Sequence, residues 1–336
     1  MFYKKMIRPL LFNLEPETAH RLTMLLAMGV QKTPGALELL HFVFSLNTNK
    51  SMKKTIFGKE FAHPFGLAAG LDKNVSYVPF FHALGFSFVE VGSVTHLPSP
   101  GNASPRLFRL KEDEALINRM GLNNVGALEV LDSISKKKNP CPVGLNIAKT
   151  HSPLILGSEG IKDVCSTYSL LHEHFDYVCL NVSCPNTAEG KTFEDLALLK
   201  ELLFEIKKIR GQTPLVLKLS PDLEISHFEK IMELTQEFSL SGLVLGNTSQ
   251  KRGELTDTPL KNERGGLSGP QLFKASYDLL LRARKVLPSD FTLIACGGIN
   301  SEERAKKCLD AGADLIELYT GLIYEGPGLI RRLRKL

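Results

Sequence analysis

The chain has no apolar run long enough to cross a bilayer, and its start lacks the apolar core and small-residue cleavage site of a secretory leader. It has no G-x-G-x-x-G turn after an early strand-like run, which disfavours a dinucleotide-binding open sheet. Its six cysteines form no C-x-x-C pair and no framework spacing, so a structural zinc and a disulfide scaffold are both disfavoured. The expectation is reduced thiols in a cytosolic protein. Charge of one sign is scarce too. The net charge of +5 is modest and part of it sits in Arg331-Arg332-Leu-Arg334-Lys335, with no basic stripe interleaved with aromatics. Nucleic acid is therefore not an expected partner, whereas small anions are compatible.

What is present fits a soluble globular protein: 43% hydrophobic and 23% charged residues. From Phe65 onward, short apolar runs ending in Gly, Asn or Ser alternate with amphipathic helical patterns. The strand candidates are Phe65–Ala69, Phe88–Val91, Val143–Ile147, Tyr177–Val182, Leu215–Leu219, Gly242–Leu245, Thr292–Ala295 and Leu315–Leu318. Eight such units, each followed by a helical stretch, predict an α/β fold of the (β/α)8 TIM-barrel type. The first residues differ in texture. Residues 1–46 read as a small helical module and 47–336 as the barrel, joined through a polar linker at Asn47–Lys54. That module is either a helical extension packed on the barrel or an amphipathic patch, rimmed by Lys4, Lys5 and Arg8, that lies on a membrane and admits an apolar ligand.

The strand ends carry the chemistry. Asn181-Val-Ser-Cys184-Pro-Asn186-Thr187 crowds two carboxamides and a thiol onto the tip of a buried strand, beside the fixed backbone of Pro185. A thiolate is a competent proton acceptor and nucleophile, and the amides suit a planar polar ligand. Lys73 and Lys218 end the first and fifth apolar runs, where a desolvated ammonium calls for an anionic ligand or an electron-rich ring. A Schiff-base lysine is the rival reading. Cys296-Gly-Gly-Ile299 and Tyr319-Thr-Gly321 follow the seventh and eighth strands, where barrels bind phosphate through backbone N–H groups. Asn300-Ser301-Glu-Glu looks like the cap of the next helix. Asn118-Arg119-Met-Gly121-Leu-Asn123-Asn124 offers further donors from the connection between strands two and three.

At this point the residues resemble the dihydroorotate dehydrogenase family, in its membrane-associated, quinone-reducing branch. The motifs that carry the resemblance run nearly end to end. They are Leu11-Phe-Asn-Leu-Glu-Pro-Glu-Thr-Ala-His20, Gly66-Leu-Ala-Ala-Gly-Leu-Asp-Lys73, Gly101-Asn-Ala-Ser-Pro-Arg-Leu-Phe-Arg-Leu110, Ile117-Asn-Arg-Met-Gly-Leu-Asn-Asn124, Asn181 to Thr187, Gly265-Gly-Leu-Ser-Gly269 and Gly297-Gly-Ile299. The resemblance implies an FMN enzyme that oxidises dihydroorotate to orotate in pyrimidine synthesis and passes the electrons to a quinone. It implies FMN contacts at Ala69, Gly70, Ser93, Asn146, Asn181, Lys218, Gly246, Gly269, Gly298, Tyr319 and Thr320. It implies substrate contacts at Lys73, Asn118, Arg119, Met120, Gly121, Leu122, Asn181, Asn186, Asn247 and Thr248. Cys184 falls at the catalytic base, and His20 and Arg106 fall near the quinone entrance. A peripheral position on the cytoplasmic side of the cell membrane, through the N-terminal helices, follows from the same branch.

Three departures from the family's pattern stand out. The quinone branch normally carries Ser at the base, whereas Cys is typical of the soluble branch that reduces fumarate or NAD. Gly246 stands where Thr is usual, and Asn146-Ile-Ala-Lys-Thr150 replaces the usual Gly-Lys-Asn continuation. The helical module and the Arg106 motif are larger features than one side chain, so quinone is the expected acceptor. A soluble acceptor, or a flavin-binding barrel without catalysis, are the alternatives.

Overall fold

The computed structural model describes residues 2–45, 52–134, 138–182, 193, 195–253, 255–256 and 258–336. The chain opens on helices: a π-helical turn Tyr3–Ile7, then α1 (Arg8–Phe12), α2 (Pro16–Lys32) and α3 (Ala36–Ser45). A hairpin of β1 (Lys54–Ile56) and β2 (Lys59–Phe61) follows. Its two-residue turn, Phe57-Gly58, has φ of 55° and 74°, the left-handed pair that matches the twist of the flanking strands.

Eight parallel strands then close into a barrel. In sequence they are β3 (Phe65–Leu67), β4 (Phe88–Val94), β7 (Val143–Ile147), β8 (Tyr177–Asn181), β9 (Leu215–Leu219), β10 (Gly242–Leu245), β12 (Thr292–Cys296) and β13 (Leu315–Leu318). β13 pairs with β3 to complete the ring. Every expected strand is present, with ends moved by three residues at most, and the (β/α)8 fold is borne out. The runs are apolar throughout because both faces of each strand are covered, one by the barrel interior and one by helices. The helices between barrel strands are α4 (Val78–Ala83), α5 (Ala127–Ile134), α6 (Gly157–Leu171), α7 (Leu196–Ile209), α8 (Ile225–Glu237), α9 (Phe273–Val286) and α10 (Glu302–Asp310), with α11 (Thr320–Glu325) and α12 (Gly328–Leu333) after the last strand. Local chemistry fixes where some of them begin. The Asp195 carboxylate accepts from the backbone N–H groups of Ala197 and Leu198 at the start of α7. Ser301 accepts from Arg304 N–H to cap α10, as its sequence predicts.

Two features close the barrel at its ends. Ile56 and Phe61 of the hairpin pack with Phe88, Tyr177, Val216, Val244, Ile294 and Leu315, so the N-terminal end is plugged by an apolar cluster. Over the opposite mouth lies a small antiparallel sheet of β5 (Leu107–Leu110), β6 (Ala115–Asn118) and β11 (Gly266–Ser268). The Tyr324 hydroxyl on α11 ties it down by donating to the carbonyls of Leu110 and Ala115 at 3.1 and 2.8 Å. The N-terminal helices dock on the same side. Tyr3 donates to Ile323 O at 2.6 Å, Phe12 meets Tyr324 edge-on, and Arg109 lies over the Phe12 ring.

Candidate functional site

The C-terminal ends of the barrel strands, the small sheet and the turn after β12 enclose a cavity of about 1240 Å³, counting its open mouth.

Its floor is a continuous hydrogen-bonded belt. Asn247 donates to Asn181 Oδ1 at 3.1 Å, and Asn181 donates to Ser93 Oγ at 3.2 Å. Ser93 donates in turn to Asn146 Oδ1, and Asn146 Nδ2 to Glu90 Oε1 at 2.9 Å. Lys218 joins the belt through Glu90 and Glu317. Strands β4, β7, β8, β9 and β13 carry these side chains, and Asn247 follows β10, so the amides are held by each other and by the barrel. A buried network of this kind is worth its desolvation when its members are partnered, as the amides, Ser93 and Lys218 are. The amides and the ammonium suit the polar edge of a planar heterocycle.

The wall beyond β12 and β13 is built differently. Gly297, Gly298, Gly269 and Thr320 present mainly backbone to the cavity, and Thr320 donates to Ser268 Oγ at 2.8 Å. Gly298 has φ of 70°, and a Cβ there would lie 2.4 Å from Phe273 N, so only glycine lets this turn pack on α9. Arg304 braces the turn through the carbonyls of Pro270 and Gly298. The turns 297–300 and 319–321 carry no carboxylate, which suits a phosphate. A phosphorylated planar cofactor fits this donor set: amides and lysine at one end, backbone at the other.

Lys73, after β3, borders the same cavity and donates to Gly70 O at 2.6 Å. Desolvation and then the nearby Arg106 guanidinium push its ammonium down to about 8, against partial support from Asp72 and Glu17. His20 on α2 is pushed down to about 4 by burial and by Lys73, so it is neutral at physiological pH. Arg106 is locked to Glu17 of the same helix, with Nε 2.9 Å from Oε2, and bonds the carbonyls of Pro100 and Asn102. The N-terminal helices thus reach the cavity wall at Lys73.

Of the residues singled out from the sequence, Ala69, Gly70, Lys73, Ser93, Asn118, Met120, Gly121, Leu122, Asn146, Asn181, Lys218, Asn247, Thr248, Gly269, Gly298, Tyr319 and Thr320 line this one cavity. Arg119 does not. Its guanidinium pairs with Glu263 and lies over the Phe108 ring, bracing the small sheet from outside. Gly246 also stands outside the lining; its φ is 135° and a Cβ would fall 1.7 Å from Cys296 O, so the backbone of β12 occupies the space a threonine side chain would need. Cys184 and Asn186 lie outside the described residues. Sequence reasoning missed Glu90, Glu317, Ser268 and Tyr324. The two glutamates had a signal, a carboxylate interrupting an otherwise apolar strand.

A sequence model of the family described as dihydroorotate dehydrogenase matches residues 51–335. The chain belongs to the dihydroorotate dehydrogenase family. A dihydroorotate dehydrogenase (quinone) of Coxiella burnetii is 39% identical over 97% of the chain and 94% of that protein. Another of the same name, from Christiangramia forsetii, is 38% identical over 99% of the chain and 98% of its own length. The crystal structure of the Eimeria tenella dehydrogenase in complex with ferulenol superposes with a TM-score of 0.85 at 30% identity, covering 97% of this chain and 93% of that one. The family resemblance read from the motifs is borne out, as is the quinone-dependent branch. Dihydroorotate dehydrogenases are flavin-dependent oxidoreductases.

Proposed function

We propose that this chain oxidises dihydroorotate to orotate in pyrimidine synthesis and delivers the electrons to a quinone, with FMN as its cofactor. The observation that carries the reading is the belt Asn247–Asn181–Ser93–Asn146 with Lys218, set at the strand ends beneath a cavity that Lys73 and Asn118 also enter. Lys218 and the belt amides would hold the ring edge of FMN, and the turns at Gly298 and Thr320 its phosphate. When bound, FMN supplies the acceptor for the substrate's C6 hydride and then reduces the quinone. Lys73 holds the substrate carboxylate, and Asn118, Asn247 and Asn186 hold its ring amides. Cys184 takes the C5 proton. A neutral Cys184 thiol has a reference pKa of roughly 8.5, so cationic neighbours are what would make it a base near neutrality.

The acceptor reading rests on the N-terminal helices. Eleven of the twenty-one large apolar side chains exposed among the described residues lie in the first 43 positions, among them Leu10, Leu25, Leu26, Leu39 and Phe42. None of the described helices is long and apolar enough to cross a membrane. A patch of this kind suits a helical module, residues 1–46, that rests on the cytoplasmic face of the cell membrane and admits the quinone toward His20 and Arg106. Of the basic rim, Lys5 is exposed, whereas Lys4 pairs with Glu325 and Arg8 with Glu114. The test is anaerobic: dihydroorotate should bleach the flavin band of the purified protein, and a ubiquinone analogue should restore it faster than fumarate or NAD. A yellow protein that dihydroorotate leaves unbleached refutes the activity, and preferential reoxidation by fumarate or NAD refutes the acceptor.

A further inference from the structure

The floor beneath the cavity holds unbalanced charge. Lys218 Nζ on β9 lies 2.9 Å from Glu317 Oε2 on β13 and 3.3 Å from Glu90 Oε1 on β4, and all three side chains are buried. Two ionised carboxylates on one ammonium would leave a surplus negative charge where little water reaches it. The bonding pattern points the same way. Glu90 accepts from Asn146 at 2.9 Å and from the Tyr177 hydroxyl at 3.4 Å, so both of its oxygens have donors. Glu317 Oε1 is buried and accepts no hydrogen bond. A proton between the two carboxyls would cancel the surplus and turn that idle oxygen into a donor toward Glu90.

Among the described residues, the other groups packed against the trio supply no balancing charge. Tyr177 and Cys179 on β8 and Cys296 on β12 are held neutral, because burial first, and the carboxylates next to it, push the Tyr177 hydroxyl and the Cys179 thiol far up, and burial raises Cys296 to about 12. Burial opposes the charge on Lys218, yet Glu317 and Glu90 hold the ammonium well above its ordinary range. Glu317 itself is pushed up by burial and then by Glu90. Both Lys218 and Glu317 border the cavity.

We propose that Glu90 and Glu317 share one proton, that the trio with Lys218 is therefore neutral, and that losing this proton turns the cavity floor negative and weakens its hold on an electron-rich ring edge. The two glutamates are positioning residues that act through Lys218, and the ligand half of the inference rests on the FMN reading above. No bond to the cofactor is made or broken; a proton leaves to solvent and one negative charge remains.

Two measurements on the full chain test this. Infrared difference spectra of wild type minus E317Q should show a protonated carboxyl band at neutral pH that fades as pH rises past about 8. That band needs no cofactor and is titratable in the wild type alone, whatever the variant's stability. In the second, FMN dissociation and the flavin midpoint potential are followed against pH. The wild type should bind FMN about tenfold more weakly across the transition, the effect of a coupling worth one pKa unit, while E317Q stays flat. Absence of the carboxyl band, or the same step persisting in E317Q, overturns the shared proton. A protein that keeps the band but binds no FMN at any pH overturns the cofactor reading and leaves the shared proton standing.

Discussion

At the residue scale, each site side chain is placed by a neighbour of a different kind. Lys73 is crowded by Arg106, which is why its ammonium sits near 8 rather than above 10. Its charge is present below that pH and lost above it, so the Michaelis constant for dihydroorotate should rise as pH passes 8. Lys73→Ala should raise that constant by about 10- to 100-fold at pH 7, the scale of one hydrogen bond to a charged group. Flavin binding should change less than substrate binding, since Lys73 makes no hydrogen bond to the belt. Cys184→Ala should leave FMN bound yet slow flavin reduction by at least about 100-fold in stopped-flow mixing, as loss of a general base does. Cys184→Ser should keep part of the activity with its pH profile moved upward, because a hydroxyl is the weaker acid. Unchanged reduction kinetics in the alanine variant would remove Cys184 from the mechanism.

At the scale of elements, the N-terminal helices and the barrel meet through polar and aromatic locks, leaving the outer helix faces apolar. Leu25 and Leu26 on α2 are 65% and 61% exposed. Replacing both with Asp should reduce co-flotation with anionic vesicles by about tenfold or more, given the roughly 1.5–3 kcal/mol carried by each buried leucine. Anaerobic flavin reduction by dihydroorotate should be unchanged, separating docking from chemistry. Between β10 and β12 the close approach at Gly246 makes a second forecast. Gly246→Thr puts a branched side chain against the Cys296 carbonyl at a φ of 135°. Strain and overpacking should together cost at least about 2 kcal/mol in denaturant unfolding, even though threonine is the family's usual residue there.

For the whole molecule, buried titratable groups give stability a pH dependence of opposite sign at its two ends. Glu317 is raised from 4.5 to about 8, so the folded protein keeps a proton that the unfolded chain releases. Its contribution is complete below 4.5 and is lost as pH rises to 8. His63 is lowered from 6.5 to about 3, chiefly by burial, so its contribution is lost as pH falls below 6.5. Melting temperature against pH should therefore decline toward the alkaline side in the wild type, and Glu317→Gln should flatten that limb while leaving the acid limb in place. An alkaline limb that persists in the variant would place its cause elsewhere.

The barrel was legible because parallel strands buried on both faces leave continuous apolar runs, and because each run ended in a polar residue with no reason to be there in a mere turn. The small sheet over the mouth was not. Leu107–Leu110 and Ala115–Asn118 are four residues each, and β11 is a three-residue strand inside a glycine-rich stretch, so none carries enough periodicity to be read locally. The hairpin plugging the other end begins at Lys54, the last residue of the expected linker, and its three-residue strands are likewise too short to be read locally.

Sequence alone determined the number of strand–helix units, the residues at their tips, and the family those tips belong to, since these depend on local hydrophobicity and on motifs written contiguously. Tertiary structure decided which of those tips touch, that Arg119 turns away from the cavity, and that Glu90 and Glu317, 227 positions apart in the chain, confront one lysine. Barrel closure sets such contacts, and closure brings together strands whose separation along the chain carries no record of their distance in space.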